Sequence, residues 1–143
     1  GFHFEPEWQG PLVLIAGGIG ITPLISILRY VDQSHLENPV ELIYSASQPS
    51  ELLFREEIQA IADRNTGIRC AFTVSRPQGG ARPQGGAWDG RVGRIDLELL
   101  REHAPTQDSL YYVCGPPSFQ DDLSVLVSNL GVEASMIRAE RWW

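Results

Sequence analysis

Cysteine is scarce in this chain of 143 residues, and Cys70 and Cys114 stand far apart in no C-x-x-C arrangement. That count offers no disulfide framework and fits a reducing compartment, the cytoplasm or, in a eukaryote, the mitochondrial matrix. The three histidines, His3, His35 and His103, share no ligand spacing, so no metal set is expected. No apolar run is long enough to cross a bilayer, and no cationic, apolar signal segment opens the chain. Basic surplus is missing too: 18 acidic residues against 11 basic ones leave a net charge of −7. That balance argues against nucleic acid or an anionic membrane as partner. There is no Gly-x-Ser-x-Gly elbow and no Ser/His/Asp set, which removes the hydrolase reading. The chain does not begin with Met, and we expect a fragment or a processed form.

What is present centres on Leu12–Tyr30, LVLIAGGIGITPLISILRY. Leu12 to Ala16 is a continuous apolar run, as in a parallel strand covered on both faces. Gly17, Gly18 and Gly20 make a turn, and Thr22-Pro23 open a helix, Thr22 as its N-cap and Pro23 at its first position. Leu24, Ile25, Ile27, Leu28 and Val31 then recur at helical spacing. Strand, glycine turn and helix N-terminus together present N–H groups and a positive dipole end to an anion. By spacing this phosphate motif is weak. Pro23 stands where the third glycine of G-x-G-x-x-G belongs, and no Gly-Lys-Ser/Thr follows. At the end of the second strand, where dinucleotide folds carry an acidic residue, the chain offers Tyr44-Ser45-Ala46.

At this length one domain is expected, burying roughly 70% of its unfolded surface. Residues 1–10 are aromatic without a period and read as a lead-in whose Phe2, Phe4 and Trp8 latch onto something. Val40–Tyr44 reads as a second strand, followed by a turn-rich connection. A helix comes next, with Phe54, Ile58, Ile61 and Ala62 on its apolar face. Ile68–Val74 alternates Ile68, Cys70, Phe72 and Val74 on one side, a third strand with Cys70 as a core thiol. The hexad Arg-Pro-Gln-Gly-Gly-Ala then occurs twice, from Arg76 and from Arg82. Such Pro/Gly density cannot pack a core, so residues 76–90 read as a mobile loop. Asp96 caps a short helix with Leu99 and Leu100 inward. Leu110–Cys114 is a fourth strand. A helix capped by Ser118 follows Gly115-Pro116-Pro117, carries Phe119, Leu123, Leu126, Val127 and Leu130 inward, and closes on Gly131. Ser135–Trp143 reads as a fifth strand.

Strands alternating with helices predict an α/β parallel sheet with right-handed crossovers. Ligands in such sheets bind at strand carboxyl ends, at the switch in strand order. The loops Gly17–Pro23 and Cys114–Pro117 both follow strand carboxyl ends. If the first and fourth strands are neighbours, both loops face one crevice.

Five stretches in register now resemble one family. Ala16-Gly-Gly-Ile-Gly-Ile-Thr-Pro23, Leu52-Leu-Phe-Arg-Glu-Glu57, Thr73-Val-Ser-Arg76, Gly90-Arg-Val-Gly-Arg94 and Cys114-Gly-Pro-Pro117 are similar to the NAD(P)-binding domain of the ferredoxin–NADP reductase family, in the same order. Among its members the resemblance is strongest to oxidoreductase NAD-binding domain-containing proteins, which end in a similar Trp-Trp. The likeness runs over residues 11–143. It implies a five-stranded parallel sheet in the order 3-2-1-4-5, helices on both faces, and NAD or NADP as cofactor. It also implies FAD on a preceding domain that this chain does not contain, with residues 1–10 as the link to it.

Carried over residue by residue, the resemblance places Gly17, Gly18, Ile19, Gly20, Thr22 and Pro23 around the pyrophosphate and its ribose, with Ser45 beside them. Ser75 and Arg76 stand where NADP-using relatives hold the 2′-phosphate, which leans the cofactor toward NADP(H). Cys114, followed by Gly115, Pro116 and Pro117, takes the place beside the nicotinamide; a buried strand-end thiol is the plainer alternative for it. Glu140 supports that cysteine, and Trp142 or Trp143 stacks on the flavin, or the two plug the sheet edge. Cys114, Glu140 and Trp142 are thus the catalytic candidates.

The function implied is an NAD(P)H-binding module that positions nicotinamide for hydride transfer to FAD on an adjacent domain. That domain passes electrons to an acceptor such as an iron–sulfur protein. A non-catalytic NAD(P)-sensing or interaction module is the alternative.

Overall fold

Alternation along the first strand dictates two cores. In β1 (Leu12–Gly17) the side chains of Leu12, Leu14 and Ala16 enter one buried cluster, while Val13 and Ile15 enter another on the opposite face. The computed structural model describes residues 4–77, 88–103 and 108–140. Most of the tandem repeat, with the expectation of a mobile loop, lies outside these residues, as do Phe2, Trp142 and Trp143.

The remaining elements, in chain order, are α1 (Ile21–Gln33), β2 (Val40–Ala46), α2 (Arg55–Arg64), β3 (Ile68–Val74), β4 (Arg91–Val92), α3 (Leu97–His103), β5 (Leu110–Cys114), α4 (Pro117–Asn129) and β6 (Ile137–Glu140). The sheet runs β4-β3-β2-β1-β5-β6, every neighbouring pair parallel. Helix α1 covers one face with Leu24 and Leu28, joined by Ile58 and Ile61 of α2. Leu99 and Leu100 of α3, with Leu123 and Val127 of α4, cover the other. Full burial of each such aliphatic side chain stabilises by roughly 1.5–3 kcal/mol.

The sheet has six strands, not five. The addition is β4, a two-residue strand at the edge against β3, so the order differs from 3-2-1-4-5 by that insertion. Two residues inside a glycine-rich stretch carry no period, and contacts from neighbours hold them instead. Gly93 N–H donates to Val74 O at 2.8 Å, and Arg91 donates to Thr73 Oγ1 at 2.8 Å and to Arg94 O at 3.0 Å.

Three helix starts also depart from expectation. A 3₁₀ turn, Gly18–Gly20, precedes α1 and makes Gly20 its N-cap, so Thr22 lies within the first turn and caps nothing. Helix α4 begins at Pro117 with no side-chain cap, which leaves Ser118 inside it. Phe54 is the left-handed N-cap of α2, with φ of 59°. Its ring is exposed and lies 5.2 Å from the Arg29 guanidinium carbon, not in the apolar face. Two expected signals hold: Leu99 N–H donates to Asp96 Oδ1 at 2.9 Å, and Gly131 follows α4 with φ of 90°. The last strand is shorter than 135–143, because Ala134–Met136 forms a 3₁₀ turn ahead of β6.

The lead-in does latch onto the sheet. Phe4 is buried with its ring edge-on to Tyr30, and Trp8 Nε1 donates to Pro11 O at 3.0 Å. Glu5 pairs with Arg138 of β6 at 2.7 Å and lies 3.4 Å from the Tyr112 hydroxyl of β5. Burial and the Glu5 charge push the Tyr112 phenol up to about 12. No helix among the described residues is long and apolar enough to cross a membrane.

Candidate functional site

Strands β1 and β5 are neighbours, so their carboxyl-end loops meet, as the crevice argument requires. The contact is backbone to backbone. A Cβ placed on Gly20 would fall 2.1 Å from Cys114 O and 2.8 Å from Gly115 N, and glycine alone permits this approach. Cys114 itself is fully buried at the end of β5.

One aromatic ring props both loops. Phe119, in the first turn of α4, lies where a Cβ on Gly17 would meet it at 2.8 Å and a Cβ on Gly115 at 2.4 Å. Gln120, also buried, braces the second loop by donating from Nε2 to Gly115 O at 3.0 Å. Gly18 differs: its φ is +55°, and a Cβ there would meet nothing within 4 Å, which leaves the turn open to an approaching ligand. No side chain caps this turn or α1, and neither first turn holds an acidic residue. The positive end of the helix is therefore left to an anion.

Beside the turn lies a cavity of about 360 Å³ over the ends of β1, β2 and β3. Of the expected binding residues, Gly17, Gly18, Ser45, Ser75 and Pro116 line it. Ile19 does not; it stands 59% exposed beside the turn. Thr22, Pro23, Pro117 and Arg76 likewise stand outside the lining. Arg76 is exposed and uses its backbone N–H on Ser47 O at 2.7 Å.

Glu140 is placed by register. Strand β6 pairs Glu140 with Cys114 along the backbone. Trp142 and Trp143 lie outside the described residues.

Ser47, Glu51, Arg94, Ser118, Phe119 and Asp122 also line the cavity and were not among the residues expected from the sequence. Arg94 ends the Gly90–Arg94 motif, so the signal was present without a role. Phe119 and Asp122 stand three apart on α4, a spacing that puts both on one helical face. Glu51 had no signal, because a 3₁₀ turn, Pro49–Glu51, brings it back over β2. Tyr44 fixes that turn: its buried hydroxyl accepts from Leu53 N–H at 3.0 Å and donates to Glu51 O at 3.3 Å. Burial raises the Tyr44 phenol, against the Leu53 hydrogen bond, and keeps its proton in place. Among the described residues no group of three or more His, Cys, Asp or Glu is placed to hold a metal ion.

Residues 14–124 match the family model described as oxidoreductase NAD-binding domain. The Oxidoreductase NAD-binding domain-containing protein 1 of Danio rerio is 34% identical over 154 residues, covering 99% of this chain and 57% of that protein. The flavohemoprotein of Bacillus subtilis (strain 168) is 33% identical over 139 residues, covering 97% of this chain and 34% of that protein. Among solved structures, the flavohem-like FAD/NAD binding domain of nitric oxide dioxygenase from Vibrio cholerae O1 biovar El Tor has a TM-score of 0.82 at 25% identity, covering 99% of this chain and 55% of that one. A ferredoxin NADP+ reductase from Neisseria gonorrhoeae, with a TM-score of 0.72 at 24% identity over 96% of this chain and 58% of that one, shares the fold.

Proposed function

This chain belongs to the oxidoreductase NAD-binding domain family, and we propose that it is the NAD(P)H-binding module of a flavin-dependent oxidoreductase. The observation that carries the reading is the locked pair of loops, Gly20 against Cys114, from which Gly17, Gly18 and Pro116 go on to line a cavity. Bound there, NADH or NADPH supplies a hydride from nicotinamide C4 to N5 of an FAD held on an adjacent domain.

The share of this chain is placement. The Gly18–Gly20 turn and the start of α1, with Thr22 in its first turn, receive the pyrophosphate by backbone N–H groups and dipole. The residues present fit that group, since Gly18 leaves open space and no carboxylate opposes an anion in either first turn. Cys114, held by the Gly20 contact, fixes the nicotinamide edge, and hydride transfer depends on such placement. Glu140 pairs with Cys114 by backbone register, and the resemblance gives it the role of supporting that cysteine. Trp142 and Trp143 take the flavin-facing role that the resemblance gives them. The Vibrio cholerae relative is an FAD/NAD binding domain of which this chain covers 55%, which supports a flavin-bearing partner domain. That partner hands electrons to a small redox acceptor such as an iron–sulfur protein.

The experiment is a calorimetric titration of the chain with AMP and with 2′-phospho-AMP, probes of the adenosine half that need no flavin. Saturable binding of either, weakened by Gly20→Ala, supports the module. No binding of both at millimolar concentration overturns it and favours an interaction domain.

A further inference from the structure

We infer that Glu51 reads the adenosine ribose, and that the crevice thereby selects NAD(H) over NADP(H). The inference rests on the nucleotide-binding reading above and names which of the two cofactors that same cavity takes.

Dinucleotide folds distinguish the two cofactors at the ribose 2′ position, commonly with an acidic residue at the end of the second strand. Here β2 ends in Ser45-Ala46, with no acid. The chain supplies one by another route. After Ser47 and Gln48, the Pro49–Glu51 turn folds back, and Glu51 joins Ser45 and Ser47 in the cavity lining.

The backbone of Glu51 is held tightly while its carboxylate stays available. Glu51 N–H donates to Gln48 O at 3.0 Å. Glu51 O accepts from Leu53 N–H at 3.0 Å and from the buried Tyr44 hydroxyl at 3.3 Å. Leu52, between them, is 6% exposed and anchors the turn in the core. The Glu51 side chain is exposed and makes no ion pair among the described residues. A carboxylate carried on such a backbone accepts hydrogen bonds from a ribose hydroxyl and holds no donor for a phosphate.

Charge points the same way. Asp122 on α4 adds a second carboxylate to the lining, against one guanidinium, that of Arg94. A 2′-phosphate brings roughly 1.5 to 2 further negative charges. Arg76, which the resemblance offers to that phosphate, does not line the cavity. Arg94 is the rival reader, and the test separates the two.

The probes are AMP, 2′-phospho-AMP and 2′-deoxy-AMP, titrated by calorimetry into the full chain and into Glu51→Gln and Arg94→Ala. The expected result is AMP binding roughly tenfold or more tighter than 2′-phospho-AMP, with like-charge juxtaposition as the cause. Glu51→Gln narrows that gap, and 2′-deoxy-AMP binds the variant and the parent alike because the hydroxyl that Glu51 reads is gone. Arg94→Ala keeps the preference for AMP. An unchanged melting temperature in Glu51→Gln, expected for an exposed side chain, shows that the fold is intact. Preference for 2′-phospho-AMP that Arg94→Ala removes overturns the inference and leaves the nucleotide site standing. So does a preference for AMP that Glu51→Gln leaves untouched. Failure of all three nucleotides to bind removes the site itself, and the inference with it.

Discussion

Gly20 and Cys114 touch through their backbones: a Cβ on the first would sit 2.1 Å from the carbonyl oxygen of the second. No flexible side-chain end is there to give way, so the spacing between the glycine turn and the strand-end cysteine is fixed by the absence of one methyl group.

Gly20→Ala is expected to separate the two loops. Overpacking of a closed site costs about 1–3 kcal/mol, and adenine nucleotide affinity should fall as well. Gly67→Ala is the control, because a Cβ there meets nothing within 4 Å and the backbone is not left-handed. Thermal melting of the two variants should show a clear loss for the first and little change, or a gain of about 0.4–1 kcal/mol, for the second.

Cys114→Ala should separate placement from binding. Cys114 is buried at the end of β5 and does not line the cavity beside the glycine turn. AMP affinity of the chain should therefore stay within about twofold of the parent. If the chain is joined to the FAD domain proposed for it, single-turnover reduction of that FAD by NADH should slow by roughly tenfold or more, the cost of a misplaced reacting group. An unchanged rate assigns Cys114 a packing role only.

Much of this arrangement was legible in the residues. The buried strand Leu12–Ala16 and the glycines after it give the turn, and the alternation in Ile68–Val74 gives the third strand. The meeting of the two loops follows from strand order. What escaped was held by tertiary contacts that leave no local period. Arg91–Val92 pairs only because Thr73, Gly93 and Arg94 offer partners. Phe54 is apolar at helical spacing, yet its left-handed backbone turns it out toward Arg29. Glu51 reached the cavity through a turn fastened by Tyr44, seven residues earlier. Thr22 and Ser118 have the chemistry of caps, but a 3₁₀ turn and a proline begin their helices sooner.

Phe4→Ala tests the latch formed by the lead-in. Phe4 is 9% exposed and edge-on to Tyr30. Removing the ring should cost about 3 kcal/mol, or roughly 10 °C in melting temperature for a chain of this size. A loss under about 1 kcal/mol would mean that residues 4–10 rest on the sheet without holding it.

Acid should weaken the junction of α1 and α2. Hydrogen bonds from Arg64 and Asn65, at 3.2 and 2.8 Å, hold the Asp32 carboxyl below the usual carboxylate range. A lowered pKa contributes stability that is fully present above the unfolded value, near about 3.9, and is lost as pH falls through the folded value. Asp32→Asn should therefore melt lower than the parent at pH 7, with the difference shrinking below about pH 4. Melting curves across pH 2.5–7 (a range set by roughly one unit either side of these values) read this directly, and a difference constant in pH would count against the pairing.

The most direct test of the nucleotide site is amide chemical-shift mapping of the isotopically labelled chain during titration with NAD+. The largest shifts are expected at Gly18, Ile19 and Gly20, at Ser45 and Ser47, at Ser75 and Arg94, and at Gly115, all around the carboxyl ends of β1, β2, β3 and β5. Shifts confined to the opposite end of the sheet, or none at saturating NAD+, would contradict it.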